Sequence, residues 1–82
     1  MDTESVAALA QQLAEVAERV RDVETRLSSG LATTEWVGAD RERFRSDWEG
    51  QHVVALRQAA EALDDASRLA SSEVAQQDHA SA

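Results

Sequence analysis

Residues 3–29 read TESVAALAQQLAEVAERVRDVETRLSS, and their reading decides the fold. Val6, Leu9, Leu13, Val16, Val20, Val23 and Leu27 follow one another at steps of 3, 4, 3, 4, 3 and 4 residues. An alternation of three and four keeps apolar side chains on one stripe of an α-helix, as in the a and d positions of a heptad. Gln11, Gln12, Glu15, Glu18, Arg19, Arg21, Asp22, Glu24 and Arg26 fall between them and suit a solvated face. Glu15 with Arg19 and Asp22 with Arg26 are i,i+4 pairs with the acid first, the more favourable order. Asp2 or Thr3 can cap the start, and Glu4 suits the positive end of the helix dipole. Gly30 fits a C-terminal stop. The first helix is expected over about residues 3–29.

The seam would continue at Gly30 and Thr34, so it ends there. Residues 30–38, GLATTEWVG, read as a connection. Asp40 and Glu42 put negative charge in the first turn of a second helix, expected over about 39–70. Its apolar stripe is Phe44, Trp48, Ala55, Leu56, Ala59, Ala62, Leu63, Ala66, Leu69 and Ala70, mostly small side chains. Val53 and Val54 are offset from that stripe and could widen it toward a partner. Gly50 costs about 1 kcal/mol relative to Ala in a helix interior, and either permits close packing or marks a slight bend. Residues 71–82, SSEVAQQDHASA, read as a fraying helix end and a flexible tail.

The composition agrees with long helices. Sixteen of 82 residues are Ala, and there is neither Pro nor Cys. The absence of Cys excludes disulfides and thiol chemistry. A net charge of −8 disfavours nucleic acid and anionic membrane surfaces. No apolar run reaches the roughly 20 residues of a membrane span, so no membrane insertion is expected. No general secretory signal peptide is read at the start, which leaves open routes that export folded substrates. His52 and His79 are too far apart for a helical metal pair, and no carboxylate is placed with both, so no metal or cofactor is expected. Asp64, Asp65 and Glu61 read as a solvated acidic patch. Without a nucleophile–base pair or a phosphate loop, the chain reads as non-enzymatic.

The expected fold is therefore all-α, an antiparallel two-helix hairpin that dimerises into a four-helix bundle. One hairpin offers few large side chains against a backbone ordering cost of roughly 1–2 kcal/mol per residue. Two hairpins bury both seams.

The stretch Trp36-Val37-Gly38-Ala39-Asp40-Arg41-Glu42-Arg43-Phe44-Arg45-Ser46-Asp47-Trp48 resembles the actinobacterial form of a family motif. In that form W-x-G is followed by an acidic residue, Phe and a second Trp, matched by Trp36, Gly38, Asp40, Phe44 and Trp48. The WXG family comprises small substrates of the type VII (ESX) secretion system, similar to the early secreted antigenic target of mycobacteria. The resemblance covers roughly residues 3–80. It implies helical hairpins with W-x-G in the turn, paired as homodimers or heterodimers with another WXG-type protein into antiparallel four-helix bundles. It also implies export without a cleaved signal peptide, with Trp36 and Gly38 read by the secretion ATPase, and a role either as substrate or as partner of a larger effector. The family's Y-x-x-x-D/E export signal has a degenerate counterpart here, Val74 and Asp78, with Val74 in place of the aromatic residue. The resemblance and the seams together assign Val6, Leu9, Leu13, Val16, Val20, Val23, Leu27, Phe44, Trp48, Leu56 and Leu63 to interfaces. The alternative is an intracellular coiled-coil adaptor that binds a partner helix through the same seam.

Overall fold

A computed structural model describes residues 2–34 and 39–81. The chain is all-α: among the described residues only Asp2 and Thr34 lie outside helices. Helix α1 spans Thr3–Thr33 and forms the first arm. The second arm consists of α2 (Ala39–Asp47), a π-helical turn (Trp48–His52) and α3 (Val53–Ser81).

Asp2 caps α1. Its carboxylate accepts from the backbone N–H of Ser5 at 2.7 Å and from the Ser5 hydroxyl at 3.2 Å. These bonds, the backbone one foremost, hold the Asp2 carboxyl below its usual range. At the other end Gly30 does not stop the helix; α1 runs on to Thr33. Thr34 is extended and closes the end instead. Its backbone N–H donates to the Gly30 carbonyl at 3.0 Å, and the Thr33 and Thr34 hydroxyls donate to the same oxygen. Threonines that suit helix interiors poorly thus close the last turn on the Gly30 carbonyl.

The arms pack antiparallel along α1 and α3. The Ser67 hydroxyl donates to the Ala10 carbonyl, Asp64 meets Arg21, Glu24 meets Arg57 and Trp48 meets Ser28. Among the described residues the buried apolar positions are small: Ala10 and Ala17 on α1, Val53 and Ala60 on α3. Val6, Leu13 and Val20 flank the first pair and Leu56 and Leu63 the second, all half-buried. The molecule measures 65 × 17 × 14 Å. Its thinnest dimension is little more than one helix diameter of about 10–12 Å, so a single layer of side chains separates the arms from solvent.

The second arm differs from its expected pattern in three respects. Val53 lies in the core rather than offset from it. The seam toward α1 runs Val53, Leu56, Ala60, Leu63, Ser67, Ala70 and Val74, at steps of 3, 4, 3, 4, 3 and 4, while Ala55, Ala59, Ala62 and Leu69 are exposed. The step from Trp48 to Val53 is five residues, too long for one α-turn. The π-turn absorbs it: the Val53 N–H donates to the Trp48 carbonyl, closing one wide turn that keeps both residues toward α1. Gly50 sits inside that turn. Finally, α3 continues to Ser81, beyond the expected end near residue 70, because Ala70 and Val74 still lie on the seam.

Two backbone predictions follow from this geometry. A Cβ added at Gly30 meets nothing within 4 Å. Gly30→Ala should therefore stabilise the helix by about 0.5–1 kcal/mol, a rise in Tm of a few degrees by circular dichroism. Deleting Gly50 should shorten the five-residue step to an ordinary α-turn of four. The shortened chain should retain its cooperative thermal transition, whereas deleting Ala62 should put the two halves of the α3 seam out of phase and abolish it.

Candidate protein-interaction surface

Four polar bonds fix how the arms meet, from Ser67 to Ala10, Arg21 to Asp64, Arg57 to Glu24 and Trp48 to Ser28. Glu24 occupies the position one heptad after Ala17 and is buried. Its carboxylate accepts from the Arg57 Nε at 2.8 Å and from the Ser28 hydroxyl at 3.0 Å. Ser28 in turn accepts from the indole N–H of Trp48 at 3.0 Å. The chain Trp48, Ser28, Glu24, Arg57 thus crosses between the arms twice. The Arg57 bond first, and the Ser28 bond second, hold the Glu24 carboxyl below its usual range. Asp64, expected in a solvated acidic patch, instead pairs with Arg21, which also binds Glu18 at 3.1 Å. That pairing holds the Arg21 guanidinium more firmly charged. Asp65 pairs with Arg68 at 2.6 Å on the outside.

Among the described residues no group of three or more His, Cys, Asp or Glu side chains could hold a metal. The clefts beside the seam measure about 240 to 320 Å³ each and are open.

The residues singled out in the sequence divide into sets. Val6, Leu13, Val20, Leu56 and Leu63 are half-buried between the arms. Leu9, Val16, Val23 and Leu27 turn outward, at 42%, 40%, 48% and 47% exposure. Trp48 is half-buried against Ser28, and Phe44 is exposed. Val74 is half-buried on the seam, lining a cleft with Thr3 and Val6, while Asp78 is exposed. Trp36 and Gly38 lie outside the described residues. Among the described residues no large side chain is fully buried.

The seven-membered ladder of α1 is therefore shared between two faces. Its Val6, Leu13 and Val20 members serve the neighbouring arm. Its Leu9, Val16 and Val23 members line one side of the molecule. Leu9 shares a cleft with Glu73 of α3. Stepping by heptads from these two places Val16 and Val23 beside Ala66 and Ala59, with Ala55, Ala62 and Leu69 next to them on α3. The opposite side is lined by Ala7, Ala14, Arg21, Arg57 and Ser71 and carries the ion pairs. One side thus carries the larger apolar members of the ladder, with Glu73 beside Leu9, and the other carries the ion pairs between the arms. Sequence reasoning missed Ala10, Ala17, Ala60, Glu24 and Ser67 as contact residues. The signal was present in the rows Ala10, Ala17, Glu24 and Val53, Ala60, Ser67, Val74, each at steps of seven.

Glu24 gives a pH prediction. Its folded-state pKa is depressed, so its contribution to stability is complete above the ordinary Glu value of about 4.3 and is lost as pH falls through the lower folded-state value. Asp2 adds a term of the same sign. The melting temperature should fall as pH drops through the acid range, and Glu24→Gln should make that fall shallower while leaving the Asp2 part in place.

No protein family, no curated protein and no solved structure matches this chain.

Proposed function

We propose that this chain is a non-enzymatic helical partner protein of the WXG type, an antiparallel two-helix hairpin that pairs into a four-helix bundle and travels by the type VII route. The observation that carries the pairing is the outward row Leu9, Val16, Val23 and Leu27, joined by Leu69 at 66% exposure. Surface rows of this kind mark interaction sites. The W-x-G motif, Trp36 and Gly38, supports the assignment to secretion through the pattern it forms with Asp40, Phe44 and Trp48. In this reading the pair is a homodimer or a heterodimer with another WXG-type protein, and it either is exported or presents a larger effector to the secretion ATPase. Export would proceed without a cleaved leader.

The Val74 and Asp78 positions bear on which of these roles applies. Val74 replaces an aromatic residue and packs on the seam, so it is engaged in holding α3 to α1. A full export signal is then supplied by a partner or effector, or the machinery accepts a relaxed one.

Two measurements test the proposal. Sedimentation at micromolar concentration should give twice the chain mass of 8.9 kDa. The protein should appear in culture supernatant, be lost from it when the secretion ATPase is deleted, and be reduced by Trp36→Ala. Export indifferent to both changes, with seam variants such as Leu13→Asp still abolishing partner binding, would favour the intracellular adaptor.

A further inference from the structure

Three of the chain's eight arginines, Arg41, Arg43 and Arg45, stand within five residues, and Ser46 follows them directly. They lie on α2, where little holds the second arm in place. From Asp40 to Asp47 every side chain is exposed. The four polar bonds between the arms reach the second arm at Trp48, Arg57, Asp64 and Ser67, all beyond α2. Among the described residues one ion pair involves α2, from Arg45 to Glu49 at 3.2 Å. Ser46 sits two residues, roughly 200° of helix, from Trp48, whose indole reaches Ser28 on α1. Its hydroxyl therefore points away from the first arm, and no group among the described residues bonds it.

We propose that Ser46 is a phosphorylation site, modified by an arginine-directed serine kinase with a nucleoside triphosphate as donor. In the transfer the Ser46 Oγ attacks the γ-phosphorus. A new O–P bond forms, the bond from that phosphorus to the leaving nucleoside diphosphate breaks, and the hydroxyl proton passes to a carboxylate base of the kinase. Guanidinium groups five, three and one residues before the acceptor suit a substrate groove lined with carboxylates, each of which a guanidinium binds in bidentate fashion. Such a groove takes its substrate extended, so the acceptor must first leave its helix. Segments with few buried contacts open most readily. Besides its helical backbone bonds, opening α2 disturbs exposed side chains and a surface ion pair.

Two other serines provide a comparison within the same chain. Ser29 and Ser71 also follow an arginine by three residues, Arg26 and Arg68. Arg26 is held by Asp22 at 3.1 Å and Arg68 by Asp65 at 2.6 Å, whereas Arg41 and Arg43 have no ion pair among the described residues. Ser29 and Ser71 lie within α1 and α3, the two long helices packed on each other. Ser46 thus combines three upstream arginines with the shorter and less supported helix. Once added, the phosphate stands one helical turn after Arg43, within reach of its guanidinium. Its charge of about −1.5 to −2 offsets much of the positive charge of residues 41–45 and changes what this stretch attracts.

The test incubates the purified full chain with magnesium ATP and an extract of the cells that make it, and maps phosphate by peptide mass spectrometry. Occupancy at Ser46 should exceed that at Ser29 and Ser71, and Ser46→Ala should remove it. Arg43→Gln should lower Ser46 occupancy by about tenfold or more at unchanged helicity, the loss of one charge-assisted pair with the kinase, while Arg26→Gln leaves it unchanged. No phosphate on Ser46, equal occupancy at Ser29 or Ser71, or an Arg43→Gln chain modified as fully as the parent overturns the proposal.

Discussion

Buried alanines in the contact, Ala10, Ala17 and Ala60, set the distance between the two arms, and most other features follow from that distance. Side chains this small let backbones approach until a hydroxyl on one helix reaches a main-chain carbonyl on the other, as Ser67 does to Ala10. They also bury little apolar area, since the stabilisation scales with area removed from water. The larger members of the ladder stand at the edges of the contact, where they are half covered or uncovered. A fold built this way holds its shape through proximity and polar bonds, and leaves Leu9, Val16, Val23 and Leu69 exposed.

Much of this was legible in the chain. The steps of three and four in residues 3–29 announced a helix and its apolar stripe, because backbone periodicity is local. Its end was read too early at Gly30, since a helix end depends on which groups take the last carbonyls, and here Thr33 and Thr34 do. The stripe expected for the second arm shares Leu56, Leu63 and Ala70 with the seam, but its other members in α3 lie to one side of it. Counting only large apolar residues hid Ala60 and Ser67, which belong to the seam through tertiary contact and not through hydrophobicity. The five-residue step after Trp48 obscured the phase, because a π-turn has no composition signature beyond the mismatch it repairs. The division of the α1 ladder between two faces could not be read from one helix alone, since it depends on where the other arm lands.

Trp48 shows how the local and tertiary levels meet. Its ring lies 5.9 Å from that of His52 across the π-turn, and its N–H reaches Ser28 on the other arm. The wide turn therefore does more than correct phase. It places an indole where its polar edge finds a partner while its body stays half-buried, the condition under which a large aromatic residue is best accommodated.

The carboxylate at Glu24 has a consequence for folding that the alanines cannot supply. Two helices studded with near-identical small residues at every seventh position could slip past one another by a heptad, about 10.5 Å, and find almost the same fit. Slipped one way, Glu24 would face Ala60; slipped the other, Ala17 would face Val53 and Glu24 would lie beyond the start of α3. Either shift takes the acid away from Arg57, and one of them leaves a charge against a methyl group. One ionised side chain in an otherwise repetitive contact thus removes the degeneracy, and the arms have a single alignment in which Glu24 meets Arg57.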